Sequence, residues 1–95
     1  MLFDVIFSDE ANDTFESIGL QLQYKWGERE VKEFRRRTYK VVGIISKFPF
    51  IFQSVSTAGN VRKAFIHKNC SMFYEVGESH VEILFFWDNR QDPIL

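Results

Sequence analysis

The stretch NVRKAFIHKNCSMFYEVGESHVEILFFWDNRQDP, residues 60–93, predicts three short strands followed by a polar tail. The strands are expected at about 61–67, 70–76 and 80–87. Gly77 lies between the second and the third strand, where a hairpin turn needs the positive φ that glycine adopts readily. The third run is apolar on both faces, so we expect it inside a sheet rather than at its edge.

The N-terminal half predicts one strand and a helical hairpin. Residues 2–7 (LFDVIF) are mostly apolar, as in a short strand, and Ser8 is suited to cap the helix that follows. That helix is expected at about 9–26. Gly27 separates it from a second helix at about 28–48, in which apolar residues recur every three or four positions. Such a short connection makes the two helices antiparallel neighbours.

The predicted order is therefore strand, helix, helix, strand, strand, strand, within one domain of residues 1–95. This order predicts an α+β fold in which the helical hairpin packs on one face of a small, mainly antiparallel sheet. Part of the other sheet face is left open. The aromatic segment FPFIF, residues 48–52, is expected mainly to plug the end of the hairpin, and the alternative is a partly exposed patch that a partner covers.

The composition excludes several classes of protein. A single cysteine allows no internal disulfide, which fits a reducing cytoplasm. One cysteine and two distant histidines offer no metal-ligand spacing, so we expect neither a metal nor another cofactor. The apolar runs are too short to cross a bilayer, and the N-terminal run contains Asp4 and lacks the basic lead of a signal peptide. The sequence thus predicts a cytoplasmic protein without membrane association.

The net charge of −1 conceals an uneven distribution of charge. Residues 1–33 hold eight acids and three bases, whereas residues 34–74 hold eight bases and no acid. Such asymmetry can give one surface a positive field although the total is close to zero. The bases fit an ordinary solvated face, and they equally fit a site for phosphate or for an acidic partner.

No nucleophile motif, carboxylate pair or glycine-rich phosphate loop is present in the sequence. The bases on the strands and at the sheet end are Arg62, Lys63, His67, Lys68 and Arg90. Cleavage of RNA by its own 2′-hydroxyl needs a proton acceptor, a proton donor and cations for the charge on phosphorus. Strand alternation places Lys63 and His67 on one face and Arg62 on the other, unless a bulge intervenes. Arg90 is equally placed to pair with Asp88.

The chain resembles the RelE/ParE superfamily, the toxins of bacterial toxin–antitoxin modules. The resemblance covers nearly the whole chain: a first strand, a helical hairpin with Trp26-Gly27 at its bend, VRKAFIHKNCSMFYEV at 61–76, and VEILFFWDNR at 81–90 followed by QDP. The VRK, FYEV and WDNRQDP elements are its most specific part. They are similar to the branch described as plasmid-stabilisation proteins.

The resemblance implies a small cytosolic type II toxin that a cognate antitoxin silences by wrapping over its helices and sheet. RelE-like members are endoribonucleases that cut messenger RNA in the ribosomal A site, whereas ParE-like members inhibit DNA gyrase without catalysis. Arg62 and Lys63 match basic strand positions of the family, and Arg90 matches the basic position after the last strand. Ser71 and Met72 stand where the ribonucleases carry a basic residue, and no tyrosine follows the last strand.

Three functions remain open from the sequence. The first is a ribosome-dependent endoribonuclease, with catalysis by Arg62, Lys63, His67 and Arg90. The second is a gyrase inhibitor with no chemistry of its own, and the third is an antitoxin-binding protein that is no longer toxic. All three share a cognate antitoxin as partner, for which the acid-free segment 34–74 and exposed aromatic residues offer a surface. The ribosome with messenger RNA, or DNA gyrase, would be the further partner of an active toxin.

Overall fold

Seven elements build the part of the chain that the computed structural model describes, residues 2–55, 59–67 and 69–90. In chain order they are β1 (Asp4–Phe7), α1 (Asp9–Trp26), α2 (Glu28–Lys47), β2 (Gln53–Ser54), β3 (Val61–His67), β4 (Cys70–Val76) and β5 (His80–Asp88). The strand β2 is absent from the sequence-based prediction, because Gln53 and Ser54 are two exposed polar residues with no alternation to detect.

The five strands form one sheet in the order β1-β5-β4-β3-β2. Neighbouring strands are antiparallel except β1 and β5, which run parallel. Strand β5 lies between β1 and β4, as its apolar character on both faces predicts. The helical hairpin packs on one face of the sheet, and the core lies between the two layers. The predicted α+β fold is therefore confirmed.

Local signals set the limits of α1. The Ser8 hydroxyl accepts a hydrogen bond of 2.9 Å from the Ala11 N–H and so caps the first turn. Gly27 ends the helix with φ of +94°, and its N–H donates to the carbonyls of Leu22 and Gln23. Glycine adopts this φ without steric cost, which allows α2 to start at the next residue. Within the described residues, neither helix is long and apolar enough to span a bilayer.

Hydroxyl groups of the helical layer complete the edge of β5. Strand β1 pairs with β5 only as far as Ile83. Beyond that point the Ser8 hydroxyl donates to the Leu84 carbonyl at 2.7 Å, and the Thr14 hydroxyl accepts the Phe86 N–H at 2.9 Å. Buried backbone groups need such partners, so these two side chains do for β5 what a longer β1 would do.

Aromatic rings fill the space between the layers. The ring of Phe15 lies 5.0 Å from that of Phe34 and 5.1 Å from that of Phe86, measured between centroids. Tyr74 is fully buried in the centre of the sheet, and its hydroxyl donates a 2.9 Å hydrogen bond to the carbonyl of Pro49. The connector after α2 is thereby tied to the middle of β4.

The same connector is more exposed than its sequence predicts. Phe48, Phe50 and Ile51 are 62%, 54% and 59% exposed, whereas Phe52 packs against the core and makes an edge contact with Tyr74. The predicted plug therefore describes Phe52, whereas the other three side chains match the alternative of a partly exposed patch. The Tyr74 hydroxyl holds the connector at its backbone, so its side chains need not point inward.

Candidate functional site

Arg62, the first predicted catalytic residue, is engaged with the protein's own backbone. Its guanidinium donates to the carbonyl of Phe52 at 2.7 Å and to that of Phe50 at 3.2 Å. The same group lies 5.0 Å from the centroid of the Phe50 ring. These contacts hold the connector after α2 against β3, so the geometry of Arg62 is that of a structural clamp.

Lys63 lies on the sheet face that points away from the helices. Its ammonium group is 5.1 Å from the ring centroid of Phe65 and 5.7 Å from that of Phe73. Phe73 in turn stacks on Phe85 with 4.7 Å between centroids. Phe73 is buried and Phe65 is 66% exposed, so the cation sits over a small aromatic cluster at the surface.

A bulge in β3 decides the position of His67. The register shifts between Phe65 and His67, so that His67 pairs with Cys70, whose side chain is buried in the core. His67 therefore lies on the side of the helices, where its Nε2 is 3.9 Å from a carboxylate oxygen of Glu30 in α2. The bulge that the sequence left open is therefore present, and Lys63 and His67 do not share a face, because the extra residue of a bulge reverses strand alternation.

The neighbouring thiol is not a nucleophile. Cys70 lies opposite His67 in the sheet, where the two residues could in principle form a catalytic cysteine–histidine pair. Burial raises the pKa of the Cys70 thiol to about 12, and the nearby charge of Asp88 acts in the same direction. Since the thiolate is the reactive form, this cysteine is inert at neutral pH.

Arg90 pairs with Asp88, the alternative that the sequence left open. The guanidinium Nε and Nη2 donate to the two carboxylate oxygens of Asp88 at 2.9 Å and 2.6 Å. These hydrogen bonds hold the pKa of Asp88 below its usual value and raise the pKa of Arg90. The N–H of Asn89 donates to the carbonyl of Asn69 at 2.7 Å, which joins the end of β5 to the turn between β3 and β4.

The four predicted residues do not meet in one cluster. His67 and Arg90 lie at the same end of the sheet, through the join just described. Arg62 is five residues from His67 along β3, about 16 Å at the usual rise of a strand. Lys63 lies on the opposite sheet face, and Lys68 is outside the described residues.

A groove of about 430 Å³ runs between α1 and α2. Its apolar lining comes from Phe15, Gly19, Leu20, Val31 and Phe34. A Cβ added to Gly19 would meet nothing within 4 Å, so the groove has room at this position. Glu16 of α1 and Arg35 of α2 also line it and give it one charge of each sign. Periodicity did not reveal the groove, although a glycine in the middle of an amphipathic helix is the signal that could have.

Comparison with known proteins identifies the architecture. No family model matches the sequence, and no curated protein matches it. Solved structures do match: a chain of the chromosomal ParDE TA system from P. aeruginosa superposes with a TM-score of 0.75 at 12% identity, covering 92% of this chain and 96% of that one. The E. coli DinJ–YafQ toxin–antitoxin complex gives 0.65 at 6% identity, over 95% and 96% of the two chains.

The YoeB dimer from Staphylococcus aureus gives a TM-score of 0.64 at 13% identity, over 90% of this chain and 94% of that one. This chain has a RelE/ParE-like fold. The resemblance stated from sequence is thus confirmed for the fold.

The connector after α2 forms a second apolar surface. We call it the connector patch, and it consists of Phe48, Phe50 and Ile51. These side chains are more than half exposed, and their backbone is held by Tyr74 and Arg62 from the sheet. Anchors that are fixed before binding lose little conformational entropy when a partner covers them. The connector patch is therefore suited to protein binding.

Glu33 partly neutralises the positive charge of the arginine run on α2, residues 35–37. Glu33 accepts hydrogen bonds from Arg36 at 2.7 Å and from Arg37 at 2.9 Å, and these lower the pKa of Glu33 to about 2. Arg35 is the member of the run that lines the groove between the helices. The run therefore divides into a solvated part and a residue that a partner in the groove would meet.

Proposed function

We propose that this protein is the toxin of a type II toxin–antitoxin module and that a cognate antitoxin neutralises it. The observation that carries the proposal is the RelE/ParE fold over nearly the full length of both compared chains, 92% and 96% for the ParDE chain. The DinJ–YafQ structure, matched over 95% of this chain, is a toxin–antitoxin complex. The protein would act in the cytoplasm, where its targets lie.

For the toxic action, we propose binding without catalysis, as in a ParE-like inhibitor of DNA gyrase. Support comes from the engagement of the candidate catalytic groups. The Arg62 guanidinium is bound to backbone carbonyls, and the Arg90 guanidinium is bound to Asp88. Lys63 lies on the far sheet face over aromatic rings. A phosphate bound to any one of these three cations would have no contact with the other two.

A RelE-like endoribonuclease is the second candidate, and one observation favours it. His67 and Arg90 lie at the same end of the sheet, so an imidazole for proton transfer and a cation for the phosphate are found at one edge of the fold. For this chemistry, Arg90 would exchange its carboxylate partner Asp88 for the scissile phosphate. His67 would accept or donate the proton at Nε2.

The antitoxin would use the apolar surfaces that the fold leaves open. We propose that an amphipathic helix of the antitoxin occupies the groove between α1 and α2, with one apolar side chain at Gly19. A base on that helix would face Glu16 and an acid would face Arg35, which fixes its direction along the groove. The connector patch would take a second apolar segment.

The decisive experiment is induction of the chain alone in bacteria, with an SOS reporter and with mapping of messenger RNA 5′ ends. Growth arrest with an SOS response and gyrase-dependent DNA breaks is the expected result. Arrest with cuts on translated codons would establish the ribonuclease instead. Normal growth at a verified protein level would refute a toxin and leave the antitoxin-binding relic.

The variant His67→Gln separates the two active mechanisms. It should leave gyrase inhibition intact and should abolish RNA cleavage if His67 transfers a proton. Arg62→Ala is a poorer choice, because loss of the clamp at Phe50 and Phe52 would weaken the fold under either mechanism. Circular dichroism of each purified variant verifies that it is folded.

A further inference from the structure

A second cavity lies where the bend of the helical hairpin meets the turn between β3 and β4. Its volume is about 280 Å³, and it is lined by Leu22, Trp26, Glu30, His67 and Asn69. Sites for drug-sized molecules usually start at about 300 Å³. This cavity therefore suits a single side chain of a partner better than a cofactor.

The imidazole of His67 is oriented by the turn that follows it. Its Nδ1 accepts the backbone N–H of Asn69 at 3.4 Å. In the neutral ring the proton then sits on Nε2, which faces Glu30 at 3.9 Å. That distance is too long for a hydrogen bond, so each group keeps capacity for a ligand. Among the described residues, Glu30 has no further hydrogen bond or ion pair.

The other walls of the cavity favour a cation. The indole of Trp26 is 62% exposed although it stands beside the buried Leu22. A carboxylate and an aromatic face are the two groups that bind organic cations best. The described lining residues include the carboxylate of Glu30 and no lysine or arginine. Among these described residues, the charge of Glu30 therefore favours a cation over a phosphate or a carboxylate.

We propose that this cavity binds an arginine side chain of a partner protein. The guanidinium would donate to the Glu30 carboxylate while lying over the Trp26 indole, a combination for which the planar, weakly hydrated guanidinium is better suited than the compact, strongly hydrated ammonium of lysine. His67 is a positioning residue, since its Nε2–H can donate to the second oxygen of Glu30 after a shift of about 1 Å. The inference rests on the proposed function only for the existence of a protein partner.

The test uses N-acetyl-arginine methylamide as the probe and N-acetyl-citrulline methylamide as its neutral isostere. Each is titrated into the ¹⁵N-labelled protein, and the indole N–H signals of Trp26 and Trp87 are followed. We expect a saturable shift of Trp26 with the arginine probe, an unmoved Trp87, and binding at least about tenfold weaker for citrulline, which lacks the charge. Equal binding of the two probes, or no saturable shift, would overturn the proposal.

Two matched variants locate the site. Glu30→Gln should weaken binding of the arginine probe at least about tenfold. Glu28→Gln removes the same charge from the same helical turn but does not line the cavity, so it should leave the affinity unchanged. If Glu30→Gln binds like the unmodified protein, the proposal fails. The growth-arrest experiment is independent of this result, so the two proposals can fail separately.

Discussion

Thr14 in α1 and Phe86 in β5 are joined by a hydrogen bond of 2.9 Å between a side-chain hydroxyl and a backbone N–H, 72 residues apart in the chain. The bond lies where β5 has lost its neighbour β1. It gives the helical layer a polar attachment to the sheet in addition to the aromatic contacts. A small α+β fold thus uses a helical threonine to satisfy the edge of a strand.

This bond predicts the effect of Thr14→Val. The substitution keeps the side-chain shape and leaves the N–H of Phe86 buried without an acceptor, which should cost about 1–3 kcal/mol in the free energy of unfolding. Thr38→Val is the matched control, because within the described residues the Thr38 hydroxyl bonds only to the Phe34 carbonyl of its own helix, at 2.8 Å. We expect the control to change stability by less than about 0.5 kcal/mol. Urea unfolding measures both, and equal losses would contradict this role of Thr14.

The hairpin bend predicts opposite effects for two glycine substitutions. Gly27→Ala should destabilise the protein by about 1–2 kcal/mol, because its φ of +94° is unfavourable for a residue with a Cβ. Gly43→Ala lies within α2 in open space and should stabilise it by about 0.5–1 kcal/mol. Thermal unfolding of the two variants reports the sign directly. Stabilisation by Gly27→Ala would show that the bend relaxes to a different geometry.

Filling the groove should separate antitoxin binding from folding. Gly19→Met places a side chain in the space between the helices and removes a flexible glycine, so the protein should fold at least as well as before. Co-expressed antitoxin should bind it at least about tenfold more weakly, since a clash of this kind costs more than about 1.4 kcal/mol. Gly43→Met adds the same side chain elsewhere and should bind normally. Equal pull-down of antitoxin by both variants would rule out the groove as the docking site.

The Asp88–Arg90 pair predicts a pH-dependent contribution to stability. Because Arg90 holds the folded pKa of Asp88 below its usual value, the pair stabilises the protein above about pH 4, and this is lost as the pH falls through the folded pKa. The pair is partly exposed, so the contribution should not exceed about 1 kcal/mol.

Carboxyl titration by NMR checks this assignment. In Arg90→Gln, the pKa of Asp88 should rise toward the ordinary value for aspartate. Lys25→Gln should raise it less, because Lys25 acts on Asp88 only through space and is the weakest of the contributing groups. A larger effect from Lys25 than from Arg90 would contradict the observed pairing.

Much of the fold was predictable because its signals are local. The residue types of Ser8 and Gly27 indicate where α1 begins and ends, and the apolar run of β5 indicates an interior strand. The strand β2 was not predictable, since two polar residues gain their strand character solely from pairing with β3. The sequence could not decide between burial and exposure of Phe48 and Phe50 for a related reason: the Tyr74 hydroxyl that fixes their backbone comes from a distant strand.

The candidate site was predictable in composition and not in arrangement. The sequence names Arg62, Lys63, His67 and Arg90, and it names the Asp88–Arg90 pair as an alternative. It cannot place the bulge that carries His67 to the helical side, because a bulge depends on the register of β3 against β4. The sequence also cannot show that the Arg62 guanidinium donates to the backbone carbonyls of the connector. That contact forms only after the sheet and the hairpin have packed.

The parallel pairing of β1 with β5 affects the order in which parts of the protein can fold during synthesis. Asp4–Phe7 finds its partner in residues 80–83, so during synthesis the N-terminal strand waits until nearly all of the described chain has left the ribosome. The helical hairpin, whose contacts are local, can form well before that moment. An interrupted translation product would carry the residues of the hairpin before the strand against which Phe15 and Phe34 pack has been made. Surfaces that need only the hairpin would thus become available to a partner earlier than those that need β5.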